Sequence, residues 1–276
     1  MTDEWTTVTK QDKKRIAKGR KKQINRNRQR TSAAVQAPPD ATEWTDESKR
    51  LIVEQLHDYK YKLKETDFFK FLTESFNDSP IRPQQIVCYG IGNFGRQRSG
   101  PLWQLACALN LWDILQSAND ESEPFVHVYF FDPCSTQLET SILHDLGIQL
   151  IQDNERGKRN IHSTATLFFM PHCPMILYFN VLLENWVSLD KVLLFGNQLC
   201  KYANRLGIDV PKGVALLVPF LKEIAMTYSK TDVRDMEGEF DRAFNDCFLT
   251  MIRCTEALPD RPDETLEDFN DEEVLY

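Results

Sequence analysis

No stretch of the 276-residue chain approaches the roughly 18 to 20 consecutive apolar residues that a membrane-crossing helix needs. The start, Met1-Thr-Asp-Glu-Trp5, also lacks the basic and then apolar order of a secretory leader. A soluble, intracellular protein is therefore expected, cytoplasmic with the nucleus as a second location. The 7 cysteines include no Cys-x-x-Cys pair, and an odd number without an export signal reads as reduced packing cysteines. There is no Walker lysine, no His-x-x-x-His zinc pair, no Gly-x-Ser-x-Gly elbow and no Ser or Cys nucleophile with a placed histidine. No metal site is assigned.

What is present is a chain with 42% hydrophobic and 11% aromatic residues, enough for one substantial core. The net charge of -8 hides an asymmetry between the ends. Lys10 to Arg30 is dense in Lys and Arg, while Glu256 to Glu273 is dense in Asp and Glu. Residues 1–44 read as a basic disordered tail and linker. That tail suits RNA, an acidic protein or an import receptor, with a solvated tail lacking any specific partner as the alternative. No aromatic residues interleave with its basic ones, so base stacking is unsupported. Residues 258–276 read as an acidic disordered tail.

Between the tails, residues 45–80 read as a helical extension. Thr45-Asp-Glu-Ser48 opens a pattern with Leu51, Ile52, Leu56, Tyr59 and Leu63 on one face, and Phe68, Phe69, Leu72 and Phe76 form a second stripe. Residues 81–257 form the main domain. There, short apolar runs at 86–89, 126–131, 148–151, 167–169 and 192–195 mostly alternate with helical candidates at 101–116, 136–146 and 174–186. Such strands, separated by helices, predict an α/β fold: a Rossmann-like, doubly wound, mostly parallel sheet with flanking helices. A helix is expected at 198–206, an edge strand at 214–218 and a further helix over 236–252.

The densest signal is Gly90-Ile-Gly-Asn-Phe-Gly95, a Gly-x-Gly-x-x-Gly series directly after the first strand. Glycine backbones can take positive φ and aim several N–H groups at one anion. Ligands of open parallel sheets bind at the carboxyl ends of the strands. The loops there supply Asp132, Asp153 to Arg156, His172 with Cys173, and Gly196 with Asn197. Gly90, Gly92, Asn93, Asp132, His172, Gly196 and Asn197 are the candidate ligand-binding residues.

A nucleotide reading sets a pyrophosphate on the glycine loop and Asp132 on a ribose hydroxyl. An S-adenosylmethionine-dependent transferase uses nearly the same parts, with the loop after the fourth strand facing the methyl acceptor. Two details weaken the dinucleotide version. Pro101 belongs in the first turn of a helix, which leaves Gly95 in a longer loop, and Asp132 lies well beyond the usual spacing of about 20 residues. Arg96 and Arg98 suit either a phosphate or plain surface positions. Asp132 alternatively caps the following helix. His172 is a candidate general base or a hydrogen-bonded structural histidine, and Cys173-Pro174 has the form of a haem-ligating dipeptide.

Cys88-Tyr-Gly-Ile-Gly-Asn-Phe94, Phe131-Asp-Pro133, Leu167-Phe-Phe-Met-Pro-His-Cys-Pro174, Tyr178 to Asn180, Asn185-Trp186 and Phe195-Gly-Asn197 resemble successive blocks of the Sensitivity-to-Red-light-Reduced (SRR) domain family. The resemblance spans about 84–202. It implies a regulatory protein in circadian clock input and light responses, and a regulator of haem biosynthesis, and it brings no accepted reaction or catalytic residues. In that family's pattern a Ser often follows the Gly-x-Gly-Asn-Phe element, where this chain has Gly95. The expected function is thus regulatory, with a pocket for a small anionic ligand. An S-adenosylmethionine- or nucleotide-dependent transferase is the alternative, and haem is the third cofactor considered.

Overall fold

Seven strands form one sheet in the order β3-β2-β1-β4-β5-β7-β6. The structure, a computed structural model, describes residues 45–97, 99–118, 125–203, 212–226, 238–252 and 260–261. The basic tail and nearly all of the acidic one lie outside the described residues. Strands β1 (Gln85–Tyr89), β2 (His127–Phe131), β3 (Gln149–Leu150), β4 (Thr166–Met170) and β5 (Val192–Asn197) pair in parallel. β7 (Cys247–Ile252) runs antiparallel to both β5 and β6 (Leu221–Ala225), so β6 points the same way as the first five. The strand order reverses between β1 and β4, which opens a crevice at their carboxyl ends.

The central strands are apolar throughout because both faces are covered, yet their side chains still alternate. Ile86, Cys88, Leu167, Phe169, Leu193 and Phe195 enter one core. Val87, Tyr89, Phe168, Met170, Val192 and Leu194 enter the other. The first core is roofed by helix α3 (Gly100–Ala118), which is buried nearly all round. That burial needs a second layer, supplied by α1 (Asp46–Glu65), α2 (Asp67–Asn77) and α8 (Glu239–Phe244). Tyr59 of α1 stacks on Trp103 of α3 with centroids 3.7 Å apart. Phe240 meets the same indole edge-on, and Phe68 of α2 packs on Phe244. Truncating Trp103 to Ala should cost about 3 to 5 kcal/mol.

The second core lies under α5 (Met175–Glu184) and the short helices α6 (Leu199–Ala203) and α7 (Lys212–Leu217). Helix α4 (Gln137–Asp145) begins with a capping box: Thr136 Oγ1 accepts from Glu139 N, and Glu139 Oε2 accepts from Thr136 N. The cap is Thr136, not Asp132, so the capping alternative for Asp132 is corrected. Helix α3 starts at Gly100 with Pro101 in its first turn, as the proline demands.

Two sequence expectations fail in the last third of the domain. The segment predicted as an edge strand at 214–218 is helical, falling in α7 and the following 3-10 turn Val218–Phe220, and the edge strand is Leu221–Ala225. Among the described residues, the predicted helix over 236–252 is present only as Glu239–Phe244, while Cys247–Ile252 is strand β7. A run buried on both faces carries no periodicity that separates strand from helix, and the open edge of β5 decides in favour of the strand. The helix expected at 198–206 is described as far as Ala203.

Candidate functional site

The glycine loop leaves β1 in left-handed backbone, with φ +63° at Gly90 and +84° at Gly92. Only glycine takes these values without strain. A Cβ on Gly90 would stand 2.6 Å from Cys173 Sγ, whereas one on Gly95 would meet Glu139 at an ordinary 3.4 Å. The third glycine is thus not required by the backbone.

Its N–H groups settle what the loop offers a ligand. Gly90 N–H donates to the Phe131 carbonyl (3.2 Å), Gly92 N–H to Asp132 Oδ2 (2.7 Å) and Gly95 N–H to Glu139 Oε1 (2.7 Å). All three amides are consumed within the chain, two of them by carboxylates. A pyrophosphate on this loop would find none of the three glycine amides free and would face the Asp132 carboxylate.

Asp132 follows β2 and turns back across the crevice. Cys134 N–H donates to its Oδ1 at 2.8 Å while Oδ2 takes Gly92. A carboxylate oxygen has two lone pairs, so each retains one for a hydroxyl or an ammonium. Glu139, by contrast, is fully buried and spent on Gly95, Thr136 and the α4 cap.

The loop after β4 is held from behind. His172 sits at φ 58°, and its N–H donates to Asn197 Oδ1 at 2.9 Å. Asn197 Nδ2 donates to the Cys173 carbonyl and to Tyr202 Oη. Buried Tyr178 donates to the Met170 carbonyl and accepts from Asn197 N–H at 3.0 Å, tying the ends of β4 and β5 together. His172 Nε2 lies 3.2 Å from the Ala243 carbonyl. A carbonyl only accepts, so Nε2 carries a proton, and in the neutral ring Nδ1 is left as an acceptor. Cys173 Sγ is turned inward toward the Tyr89 carbonyl. Burial, and then the charge of Asp132, pushes its thiol far above the ordinary range. It is a packing thiol, and haem ligation through a Cys173 thiolate finds no support in this geometry.

The last wall is the loop between β3 and β4. Gly157, at φ +75°, lies so close to α5 that a Cβ would meet the Leu177 carbonyl at 2.7 Å. Asn180 Nδ2 donates to the Arg156 carbonyl, and Asn185 bonds both Ile161 N–H and the Arg159 carbonyl. Tyr89 Oη donates to Glu155 at 2.5 Å, and Arg159 pairs with Glu155 while covering the Tyr129 ring. Burial, followed by that bond to Glu155, raises the Tyr89 phenol well above its usual range.

Together these loops enclose a cavity of about 400 Å³ lined by Gly90, Gly92, Asn93, Asp132, His172 and Cys173 among others. Among the described residues, Asp132 is, apart from His172, its only acid or base of the Asp, Glu, Lys, Arg and His types. A second cavity of about 400 Å³ lies beside it, lined by His172, Asn197, Gln198, Lys201, Tyr202, Asn245 and Asp246. Gly196 lines neither, because the Tyr178 hydroxyl and the Met170 carbonyl fill the space where its side chain would go. Arg96 is exposed and lines neither, and Arg98 lies outside the described residues. Among the described residues no three His, Cys, Asp or Glu side chains are grouped to hold a metal ion, and no helix is long and apolar enough to cross a membrane.

The family model of the SRR1 domain matches residues 52–253. The chain belongs to the SRR1 domain family. It is 37% identical over 124 residues to an SRR1-like protein of Mus musculus, a match covering 44% of this chain and 47% of that one. It is 36% identical over 127 residues to Protein SENSITIVITY TO RED LIGHT REDUCED 1 of Arabidopsis thaliana, covering 45% and 43%. An SRR1-like protein of Drosophila melanogaster is 28% identical over 116 residues, covering 41% and 38%. The chain spans less than half the length of the curated relatives it matches. No solved structure matches it.

In this SRR1 domain several of the resembling blocks are latches behind the site. Tyr178, Asn180 and Asn185 bond backbone groups of the site's loops. The strand-end loops marked from the sequence include the walls Cys134 and Asn154, whereas Gly157 and Leu177 were missed as cavity walls. A glycine after Asn154-Glu-Arg156 was the one available signal for that turn.

Proposed function

We propose that this SRR1 protein is regulatory and that its domain binds a small neutral or cationic ligand of nucleoside type in the first cavity. One observation carries the reading: an acid at the end of β2, with a lone pair on each oxygen, faces apolar walls where the glycine amides are already satisfied. Ribose hydroxyls suit that carboxylate and a base suits the walls. The expected anionic ligand is replaced by this class, because Asp132 would repel an anion. The Arabidopsis relative is named for red-light sensitivity. A role in clock input, light response and control of haem biosynthesis, in cytoplasm or nucleus, is carried over as part of this reading. So is recognition of RNA or an import receptor by the basic segment at 10–30.

Calorimetry with adenosine, ATP, S-adenosylmethionine, S-adenosylhomocysteine and haem tests the pocket. Adenosine or its sulfur-bearing derivatives should bind, and ATP should bind more weakly than adenosine. Tighter binding of ATP, or no response from folded protein, would overturn the reading.

A second reading, an S-adenosylmethionine-dependent transferase, is favoured by the sheet itself. A reversed seventh strand slotted between the fifth and sixth is an order on which such methyltransferases are commonly built, a likeness of fold alone. The residues fit the group: Asp132 would take the ribose hydroxyls, and a cavity with one acid and, among the described residues, no lysine or arginine tolerates a sulfonium. When bound, that cofactor supplies an electrophilic methyl group. His172 Nδ1 would hold the proton of an incoming acceptor. Turnover of radiolabelled methyl groups into cell extract, lost in His172→Ala while S-adenosylhomocysteine still binds, would support this reading. Binding without any turnover would leave the regulatory one.

A further inference from the structure

The second cavity shares His172 with the first but is of opposite character. Its walls carry the ion pair Lys201–Asp246, with Nζ and Oδ1 3.0 Å apart. They also carry the carboxamides of Gln198 and Asn245, whose side chains make no hydrogen bond among the described residues. The ion pair is exposed, 58% and 79% for its two side chains, so water screens it and it exchanges readily. Asp246 is held at φ 55° immediately before β7. Asn197 is engaged with His172, Cys173 and Tyr202, so among the described residues the cavity offers a ligand, besides the His172 ring and the Tyr202 hydroxyl, one cation, one anion and two amides.

We propose that this cavity is a subsite for a small zwitterion of the α-amino-acid class. A simple anion would pair with Lys201 and leave Asp246 unpaired and repelling it. A simple cation has the converse defect. A zwitterion replaces the internal pair charge for charge, its carboxylate on Lys201 and its ammonium on Asp246, with the two amides completing the hydrogen bonds. The cavity exceeds the size of glycine, and the remaining space extends to His172, whose Nδ1 accepts from an N–H or O–H on the ligand. The charged or titratable groups that line the cavities with that ring are Asp132, Tyr89, Cys134 and Cys173 in the first and Lys201, Tyr202 and Asp246 in the second. This subsite stands whether or not the first cavity takes a nucleoside.

The test is an NMR titration of the full chain with glycine, acetate and methylammonium, following the side-chain amides of Gln198 and Asn245 and the backbone amide of Asp246. Glycine should shift these signals saturably, with a Kd on the order of 1 mM, while the two half-ligands shift them several-fold less at equal concentration. Lys201→Met and Asp246→Asn should each weaken glycine at least about tenfold without changing binding of adenosine to the first cavity. Gln198→Ala, which leaves the ion pair intact, should weaken it several-fold and guards against misfolding of the charge variants. Equal responses to acetate and glycine, or none from folded protein, would overturn the proposal.

Discussion

Gly92 and Asp132 stand 40 residues apart in sequence, and the N–H of the first donates to the carboxylate of the second at 2.7 Å. This bond closes the mouth of the glycine loop onto the end of β2. It turns an apparent phosphate cradle into the floor of an acidic cleft.

Asp132→Ala should therefore act twice. It orphans the Gly92 and Cys134 amides, costing about 1 to 3 kcal/mol in urea unfolding, and it removes the partner for a ligand hydroxyl. Asp132→Asn keeps an acceptor for one amide, so it should recover part of the stability and little of adenosine binding. If Asp132→Asn binds adenosine like the parent, the carboxylate is structural only.

The three glycines of the loop should rank in tolerance to alanine. Gly90→Ala combines positive φ with a clash against Cys173 and should be the most damaging. Gly92→Ala carries the left-handed penalty of about 1 to 2 kcal/mol and a tighter contact with Pro101. Gly95→Ala should change stability by less than about 0.5 kcal/mol. Denaturant midpoints for the three variants check the order, and equal losses would refute it.

Tyr178→Phe removes a hydroxyl that serves both the Met170 carbonyl and Asn197 N–H. Two backbone groups at the ends of β4 and β5 lose their partner in a dry interior, at a cost of about 1 to 3 kcal/mol. Hydrogen exchange should speed at Asn197 and His172 before it does in β1. Uniform acceleration across the sheet would mean that the tyrosine acts through global stability instead.

Asn185→Ala frees Ile161 N–H and the Arg159 carbonyl together. The loop between β3 and β4 should open, with faster exchange over 154–161 and weaker ligand binding in the first cavity. An unchanged exchange pattern there would remove Asn185 as a latch.

Burial raises the Cys88 thiol from 9.0 to about 12. Between those values the unfolded thiol ionises and the folded one does not, so the unfolded state binds fewer protons and stability falls as pH rises. The full contribution is present below pH 9.0 and is lost by about 12, at roughly 1.4 kcal/mol per pH unit for each such thiol. At pH 8 iodoacetamide should reach exposed Cys134 and spare Cys88, Cys107, Cys173 and Cys247. Native-state labelling read by mass spectrometry, with Cys88→Ala flattening the alkaline limb of a stability curve, checks both points.

Sequence alone determined the parallel half of the sheet. The five parallel strands lie at or within a residue or two of the predicted apolar runs because both faces of each are buried, and longer helical segments separate most of those runs. It also marked the strand-end loops, since glycines at positive φ and an acid before a proline are local necessities. Only the tertiary structure decided what local pattern cannot encode. Cys247–Ile252 became a strand because β5 offered an unpaired edge, although its apolar residues also fit a helix. The glycine amides were claimed by Asp132 and Glu139, 40 and 44 residues away, and that pairing set the charge of the pocket. Asn180 and Asn185 became latches by reaching backbone 24 and 26 residues back. Hydrogen bonds to distant backbone depend on where the chain returns, and no window of sequence contains that distance.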